Sequence, residues 1–320
     1  MKYRKLGSSG CKVSALSLGS WLTFGSRVDD GGTERCVRAA VDAGINFFDT
    51  ADIYAYGEAE RSLGQALRAF RRQDYVLATK TFWPMSENVN DRGLSRKHLM
   101  EACEASLRRL NTDYVDLYQC HRFDPETPTE EVVRAMEDLI RQGKVVYWGV
   151  SVWTAAQIAD ACSIADRVLG YRPVTNQPQY NLLDRSIEPE VMPTAAARGM
   201  AQIVFCPLAQ GLLTGKYANG AIPADSRAAD EQRGGFLRPK LTDRNLAAAR
   251  TVVAEAKALG ITPAQLALAW ILRRPEIASA IVGATRPEQI TENAKAADLD
   301  LPHEVIARLD TLTAPGEKTA

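Results

Sequence analysis

The segment INFFDTADIYAYGEAERSLGQALRAF, residues 45 to 70, contains one strand-like and one helix-like stretch joined by a polar connection. Its first residues are apolar and aromatic and run into Asp49, which is typical of a short buried strand with a polar end. From Ala59 to Phe70 the apolar residues recur at helical spacing, and this predicts an amphipathic helix. Tyr54 lies in the connection. This order predicts a βα unit whose strand pairs in parallel with the next one.

The same order recurs on both sides of this segment. A short hairpin that turns at residues 8–10 precedes the first long strand, and the first helix is predicted over Thr33 to Ala43. The later helices are predicted over residues 95–110, 127–143, 154–168, 186–198, 241–260, 262–274 and 286–297. The predicted strands end at Gly19, Asp49, Lys80, His121, Ser151, Gln177, Phe205 and Gly283.

Strands alternating with helices in this number favour a (β/α)8 barrel, the TIM barrel, with right-handed crossovers between neighbouring strands. The predicted fold is α/β, with an N-terminal β-hairpin and a long irregular loop, residues 209–239, after the seventh strand. The competing architecture is an open doubly wound sheet, which normally carries a G-x-G-x-x-G turn that this chain lacks. We therefore expect a single barrel domain over residues 1–320, with a flexible tail from about residue 314.

The composition argues against several classes of protein. Of the 320 residues, 46% are apolar and 24% charged, which is typical of a globular protein with a substantial core. The 39 Lys and Arg residues balance 39 Asp and Glu residues, and a net charge of zero argues against binding to nucleic acid or to a membrane surface. The six cysteines lack metal-binding spacing, and no signal peptide or membrane-length apolar run occurs. We expect a cytoplasmic protein with reduced thiols, no metal site and no membrane insertion.

The C-terminal ends of the strands of such a barrel form one face, and catalytic residues lie there. Asp49, Tyr54, Lys80 and His121 end or follow predicted strands and should converge on that face. The Lys80 ammonium group is expected to lower the pKa of the Tyr54 phenol, and Asp49 to neutralise Lys80. His121 could donate a hydrogen bond to a substrate oxygen or take part in moving a proton to it. This set suits protonation of a carbonyl oxygen while a hydride reaches the carbon.

Each of these residues also has a structural interpretation. Taken singly, Asp49 or Lys80 is more typical of a helix cap or a surface ion pair. His121 could be a hydrogen-bonded core histidine, and the Tyr54 ring could simply pack. A chance occurrence of all four residue types at neighbouring strand ends is far less expected, so the combination favours a catalytic interpretation.

With these residues in place, the sequence resembles the aldo-keto reductase superfamily, and within it the voltage-gated potassium-channel β-subunit-like branch. GINFFDTADIYAYGEAE (44–60) is similar to the Asp and Tyr signature of that family, VLATK (76–80) to its Lys strand, and LYQCHRFDPETP (117–128) to its His segment. Four later segments are similar, in the same order, to the cofactor-binding blocks of that family. They are KVVYWGVSVWTAAQI, NQPQYNLLDR, CPLAQGLLTGKY and IVGATRPEQITEN. The similarity covers nearly the whole chain.

The resemblance implies a barrel that binds NADPH without a Rossmann fold and reduces aldehydes or ketones to alcohols. It assigns Asp49, Tyr54, Lys80 and His121 as the catalytic tetrad, with Tyr54 as the general acid. Channel β-subunits typically carry Asn at the position of His121, and a His there fits an enzyme better than a purely regulatory protein. The cofactor-binding residues that the resemblance implies are Ser20, Trp21, Asp49, Ser151, Gln177, Phe205, Pro207, Leu208, Gly211, Lys216, Arg227, Gly283, Thr285, Arg286, Gln289, Glu292 and Asn293.

Within that set, the resemblance also implies individual contacts. Ser151 and Gln177 match positions that hold the nicotinamide carboxamide, and Phe205 matches the aromatic residue that stacks on the ring. Arg227 and Arg286 match the region of the adenosine 2′-phosphate. The loop over the pyrophosphate is matched by Pro207, Leu208, Gly211 and Lys216, and the surroundings of the adenosine by Gln289, Glu292 and Asn293. Because a planar guanidinium binds phosphate through two parallel hydrogen bonds, we expect NADPH to be preferred over NADH. Val152 stands where many relatives carry Asn or Arg, which removes one polar contact near the carboxamide.

A group of aromatic side chains is expected to line the substrate pocket and to favour aromatic or hydrophobic carbonyl compounds. They are Trp21, Tyr54, Trp83, His121, Phe123 and Trp153, although Phe123 and Trp153 could instead pack on neighbouring helices. Two other functions stay open. One is an NADPH-binding redox sensor or regulatory subunit with slow turnover, and the other is a lyase or isomerase that uses Lys80 as a Schiff-base nucleophile. The expected partner is a small carbonyl substrate, and the sequence leaves a homo-oligomer open.

Overall fold

In the computed structural model of the protein, residues 1–224, 226–231 and 234–318 are described. The strands are β1 Tyr3–Lys5, β2 Lys12–Ser14, β3 Leu16–Gly19, β4 Phe47–Asp49, β5 Val76–Thr81, β6 Val115–Cys120, β7 Val145–Val150, β8 Thr175–Asn176, β9 Ala201–Val204 and β10 Ile277–Gly283. The strands β3 to β10 are parallel neighbours and close into a barrel, since β10 pairs with both β9 and β3. The strands β1 and β2 form a separate antiparallel hairpin. The predicted (β/α)8 barrel with an N-terminal hairpin is confirmed.

Helices surround the barrel and connect its strands. They are α1 Asp30–Asp42, α2 Glu58–Leu67, α3 Arg96–Leu110, α4 Thr129–Arg141, α5 Ala155–Arg167, α6 Val191–Ala197, α7 Asp243–Ala258, α8 Pro263–Leu272, α9 Pro287–Ala294 and α10 His303–Asp310. The start of α5 is fixed by reciprocal hydrogen bonds between Thr154 and Gln157, and that of α8 by the same pattern at Thr262 and Gln265. Within the described ranges, no helix combines the length and apolar character needed to cross a bilayer.

Two apolar clusters form the core, and the alternation of side chains along each strand separates them. Phe48 and Leu77 belong to the outer cluster, between strands and helices. Their neighbours Phe47 and Ala78 belong to the inner cluster, together with Leu6 of the hairpin segment. The hairpin therefore closes the N-terminal end of the barrel, and the loops after the strands form the opposite end.

The structure shifts several predicted boundaries. Helix α1 begins before the predicted start at Thr33, because the Asp29 side chain accepts a hydrogen bond from Gly32 N and caps the helix there. The helix predicted over residues 186–198 is limited to α6, and α10 was not predicted. The predicted irregular loop over residues 209–239 contains only short 3₁₀ turns among its described residues.

The C-terminal segment is held against the barrel up to the last described residue. Arg185 exchanges backbone hydrogen bonds with Gly316 and Glu317, at 3.0 and 2.8 Å. Lys318 Nζ lies 3.4 Å from Asp184 Oδ2. Each of these contacts ties residues 314–318 to the loop after β8, and the flexible tail expected from about residue 314 stays a prediction. The remainder of the expected tail lies outside the described residues.

Candidate active site

The four predicted catalytic residues lie together at the C-terminal end of the barrel. The Lys80 Nζ atom is 2.6 Å from Asp49 Oδ1 and 2.6 Å from the Thr50 carbonyl oxygen. The same nitrogen is 3.5 Å from the Tyr54 hydroxyl oxygen. The Tyr54 and His121 rings meet edge to face, with their centroids 5.7 Å apart. The fold thus brings together side chains from three successive strand ends.

Strand register explains this convergence. Asp49 ends β4 and pairs with Ala78 of β5. Lys80, two residues later in β5, pairs with Gln119 of β6, and His121 follows two residues after that. Paired residues of parallel strands face the same side, and residues two apart in one strand do so as well. Asp49, Lys80 and His121 therefore all point into the barrel at its open end.

The ion pair between Lys80 and Asp49 is buried. Lys80 has no solvent exposure, and burial lowers the pKa of its ammonium group while Asp49 raises that pKa. Asp49 is 3% exposed, and its second carboxylate oxygen accepts a hydrogen bond from Gln177 Nε2 at 2.8 Å. Both charged groups thus have several polar partners, which is what a buried charge requires.

The pKa of Tyr54 differs from the value expected from the sequence. Burial, followed by the negative charge of Asp49, raises this pKa well above its ordinary value. The cation that lowers it is the Arg122 guanidinium. The expected lowering by Lys80 is wrong for this structure, because the Lys80 ammonium is held more closely by Asp49 and the Thr50 carbonyl. Tyr54 is a protonated phenol at neutral pH, and it can act as a proton donor.

His121 is a neutral imidazole beside this phenol. Burial, and then the charges of Lys80 and Arg122, hold its pKa well below the ordinary value. Its Nδ1 atom is buried and makes no hydrogen bond to any residue that the structure describes. A neutral imidazole carries one N–H donor, so His121 can donate a single hydrogen bond to an oxygen at the barrel mouth.

Strained backbone is concentrated around the same end of the barrel. The non-glycine residues with φ between 46° and 59° in the loops that follow strands are Leu22, Ala55, Tyr56, Val152, Cys206, Ala209 and Gln210. This left-handed conformation costs a residue with a Cβ atom about 1–2 kcal/mol. Clustering of such residues is typical of functional sites, where the surrounding structure holds them in place.

The residues predicted to hold the nicotinamide carboxamide lie beside the ion pair. Ser151 Oγ donates a hydrogen bond to the Gln177 carbonyl oxygen at 2.8 Å, and the Gln177 side chain reaches Asp49. Ser20 Oγ donates to Thr50 Oγ1 at 2.8 Å on the other side of the mouth. All five side chains are buried. They form a continuous polar lining on the inner wall.

The predicted adenosine-side residues lie at the start of α9. Gln289 Oε1 accepts hydrogen bonds from the backbone N–H groups of Thr285 and Arg286, at 2.8 and 3.2 Å. The Arg286 side chain is exposed, and no carboxylate of the described residues pairs with it. Asn293 is buried, whereas Glu292 is exposed. The Arg286 guanidinium is therefore available to an anion.

The loop after β9 carries the predicted pyrophosphate residues. Gly211 has a left-handed φ of 98°, and a Cβ atom there would lie 2.9 Å from Lys216 Cε. The Arg227 guanidinium carbon is 5.9 Å from the centroid of the Trp21 ring, and Trp21 also meets Phe236 edge to face at 5.6 Å. The loop therefore folds back to the barrel mouth. Of the other predicted residues, Pro207 is buried, Phe205 and Leu208 are half-buried, and Gly283 is exposed.

The predicted pocket aromatics divide into two groups. Trp83 is 38% exposed and lies edge to face against His121, with ring centroids 6.3 Å apart. Trp21 is also half-exposed at the mouth. Phe123 and Trp153 pack on each other at 5.0 Å, and Trp153 is buried in the outer apolar cluster. The last two residues therefore have the packing contacts that the sequence left as an alternative.

Sequence reasoning assigned no role to Arg122, which directly follows His121. Its Nη1 atom donates hydrogen bonds to the His121 carbonyl oxygen and, at 3.3 Å, to Ser151 Oγ. Its guanidinium carbon lies 5.7 Å from the centroid of the Trp83 ring. The available signal was its position, since a charged residue just after a barrel strand lies at the face where catalytic groups gather.

This fold agrees with comparisons to known proteins. The sequence matches the family model described as aldo/keto reductase family over residues 15–314. The chain belongs to the aldo/keto reductase family.

Individual relatives show which members of the family this chain is similar to. A protein of Oryza sativa subsp. japonica named probable voltage-gated potassium channel subunit beta is 46% identical over 302 residues, covering 93% of this chain and 92% of the relative. The Arabidopsis thaliana relative of the same name has the same identity and coverage. A Schizosaccharomyces pombe relative, named putative voltage-gated potassium channel subunit beta, is 43% identical over 319 residues, covering 97% and 92%. The predicted resemblance to this branch is confirmed.

Proposed function

We propose that the protein reduces aldehydes or ketones to alcohols with NADPH, with Tyr54 as the general acid. The observation that supports this most directly is the position of the Tyr54 hydroxyl, 3.5 Å from the ammonium group of a buried Lys80–Asp49 pair. The neutral His121 ring contacts the same phenol. A protonated phenol with a neighbouring cation and a second hydrogen-bond donor suits protonation of a carbonyl oxygen.

The residues around the tetrad fit a nicotinamide dinucleotide. Ser151 and Gln177 offer a hydroxyl and an amide at the inner wall, which suits a carboxamide, and Phe205 offers an aromatic face at the end of β9. Arg286 is an exposed guanidinium without a carboxylate partner among the described residues, which suits a phosphate monoester. Members of this family generally bind NAD(P)H, and Arg286 supports NADPH as the specific form.

The proton path follows from the tetrad geometry. When bound, the reduced nicotinamide supplies a hydride to the carbonyl carbon. Tyr54 donates its phenolic proton to the carbonyl oxygen, and the nearby positive charge of Arg122 stabilises the phenolate that remains. His121 donates a hydrogen bond that holds the oxygen close to Tyr54. The raised pKa of Tyr54 keeps the proton in place until the transfer.

A second candidate function is supported by the names of the relatives. Proteins named as potassium channel β subunits suggest a regulatory or redox-sensing protein that binds NADPH and turns over slowly. Such a protein would use the same cofactor residues, so NADPH binding alone does not distinguish the two functions. The presence of His121 favours the enzyme, because this imidazole adds a donor next to the Tyr54 hydroxyl.

The geometry of Lys80 disfavours a lyase or isomerase that works through a Schiff base. Its nitrogen bonds Asp49 and the Thr50 carbonyl and lies near Tyr54, without solvent exposure. A nucleophilic lysine must be uncharged and free to reach a carbonyl carbon. The Asp49 carboxylate opposes both requirements, because it stabilises the charged form of Lys80 and holds the Lys80 nitrogen in place.

Isotope transfer distinguishes a reductase from a sensor. The purified protein is incubated with an aromatic aldehyde and NADPH deuterated at the transferred position, and the alcohol is analysed by mass spectrometry. The wild type is expected to form deuterated alcohol over many turnovers, and Tyr54→Phe to form at least about 100-fold less. Tyr56→Phe is the matched control, since Tyr56 is 71% exposed. An absence of labelled alcohol with NADPH still bound would support the regulatory function instead.

A further inference from the structure

Arg122 lies at the mouth of the barrel with one edge of its guanidinium unoccupied. Its Nη1 atom is used by the His121 carbonyl oxygen and Ser151 Oγ. Its Nε and Nη2 atoms donate no hydrogen bond to any residue in the described ranges. These two nitrogens form the side of the guanidinium that binds both oxygens of a carboxylate in bidentate pairs.

The absence of a carboxylate partner distinguishes Arg122 from Arg72 and Arg273, two other half-buried arginines. Arg72 pairs with Asp116, and Arg273 pairs with Asp310. Arg122 has no ion pair with a carboxylate of the described residues, and burial lowers the pKa of its guanidinium. A partly desolvated cation without a counter-charge is unfavourable, so an anionic ligand at this point would be stabilised.

The nearby catalytic groups do not neutralise this charge. The Asp49 carboxylate already accepts hydrogen bonds from Lys80 and Gln177. Lys80 and Arg122 both lower the pKa of His121, which indicates a positive potential at the mouth. The Trp83 ring, 5.7 Å from the Arg122 guanidinium carbon, adds an aromatic surface at the same place. The mouth thus combines an unpaired cation with an aromatic wall, next to the proton donor.

We infer that Arg122 binds a carboxylate of the substrate, so that the preferred substrates are aldehydes or ketones that carry a carboxylate group. This inference rests on the proposed carbonyl reduction. Nε and Nη2 hold the two carboxylate oxygens, and the Trp83 ring packs against the body of the substrate, which places its carbonyl group towards Tyr54. If Arg122 acted only on the Tyr54 phenolate, it would assist charged and neutral substrates equally.

Two substrates that differ in charge at one position test the inference. The ratio of kcat/KM for 4-formylbenzoate to kcat/KM for its methyl ester is measured with NADPH. We expect the wild type to favour the acid by about 30-fold, and Arg122→Gln to remove most of this preference. Arg122→Lys should restore part of it, since an ammonium group keeps the charge but not the bidentate geometry. Arg134→Gln, on the exposed face of α4, is the control whose ratio should equal that of the wild type.

Benzoate gives a second readout that needs no turnover. Its Kd for the protein with NADPH is measured by calorimetry, and Arg122→Gln is expected to raise this Kd by about 30-fold. A wild type that is indifferent to substrate charge, or an Arg122→Gln variant that loses acid and ester reduction equally, would overturn the inference while leaving the proposed function intact. A wild type that binds benzoate through Arg122 but reduces neither aldehyde would contradict the proposed function and support the anion site.

Discussion

Lys80 is a fully buried cation, and Asp49 is the carboxylate that compensates it. Asp49→Asn leaves this charge without its partner and is expected to lower the free energy of unfolding by about 3–5 kcal/mol, measured by denaturant titration. The double variant with Lys80→Met should recover much of the loss, because no charge is then buried. As a control, Asp300→Asn removes an exposed pair with Lys2 and should change stability by less than about 1 kcal/mol. Equal stability of Asp49→Asn and the wild type would contradict the buried pair.

Val152 is a second residue whose conformation has a measurable consequence. Its φ is 58° and its side chain is 46% exposed, an unfavourable combination for a β-branched residue. Val152→Asn is expected to raise the free energy of unfolding by about 1 kcal/mol, since Asn tolerates the left-handed region. Val146→Asn, 41% exposed in β7, should not stabilise, because its strand backbone suits valine. Destabilisation by Val152→Asn would show that the valine packs more than its exposure indicates.

At the scale of single residues, the positions of the four tetrad residues could be predicted from the sequence, whereas pKa values and ion pairs could not. The approach of Asp49, Tyr54, Lys80 and His121 could be predicted because each follows from where a strand ends. The pKa of Tyr54 could not, since it depends on burial and on distances between groups from different strands. The lack of an ion pair at Arg122 likewise could not be predicted, because it depends on which carboxylates the fold places near its guanidinium.

The connection between β4 and α2 contains a buried acid, Asp52, two residues before Tyr54. Its Oδ1 atom accepts a hydrogen bond from Ile53 N at 2.6 Å, and its Oδ2 atom has no hydrogen-bond partner in the described part of the chain. Burial raises the pKa of Asp52 to about 7, and Glu60 contributes in the same direction. An unfolded chain releases this proton near pH 4, at about its ordinary pKa. The folded protein therefore binds an extra proton between these values, and its stability falls as pH rises through that window.

Replacing Asp52 should remove the pH dependence of stability that its ionisation causes. Asp52→Asn cannot ionise, so its free energy of unfolding relative to the wild type is expected to be higher at about pH 8 than at about pH 5. Urea titrations at both pH values measure the difference. The exposed Asp42→Asn serves as the control and should show no such change. A stability difference that is constant between the two pH values would rule out a buried, protonated Asp52.

At the scale of elements, the helices and strands with a regular spacing of apolar residues could be predicted from the sequence. Boundaries and short elements that depend on individual contacts could not. The barrel strands and most helices could be predicted, since apolar spacing follows the buried face. The early start of α1 depends on the Asp29 cap rather than on apolar spacing. Helix α10 spans only two turns and buries Val305 and Leu309, too few residues to establish a period. The anchoring of residues 314–318 depends on contacts with Asp184 and Arg185, which are distant in sequence.

The whole molecule should be stabilised by the nucleotide that we propose it binds, because a ligand of the folded state alone shifts the unfolding equilibrium. At 100 times its Kd the expected gain is about 2.7 kcal/mol. We expect NADPH to raise the Tm more than NADH at equal concentration, and Arg286→Ala to remove this difference, since only NADPH carries a 2′-phosphate. Arg134→Ala should retain it. Equal shifts with both nucleotides in the wild type would contradict the phosphate role of Arg286.

At the scale of the whole molecule, barrel closure could be predicted from the number of βα units. Substrate choice could not, because the loop over residues 209–239 folds back across the mouth through contacts such as Arg227 with Trp21. Loop conformation follows from contacts between distant residues and not from local spacing. Relatives named as channel subunits share the family and similar lengths, so turnover must be measured directly.

The steady-state oxidation of NADPH in the presence of an aromatic aldehyde, measured together with the Kd for NADPH, tests Tyr54 most directly. The wild type should consume NADPH in proportion to aldehyde reduced. The kcat of Tyr54→Phe should fall by at least about 100-fold while its Kd for NADPH changes less than about 3-fold. Tyr56→Phe should resemble the wild type. Equal turnover by Tyr54→Phe, or tight NADPH binding by a wild type that reduces no aldehyde, would contradict a carbonyl reductase with Tyr54 as its proton donor.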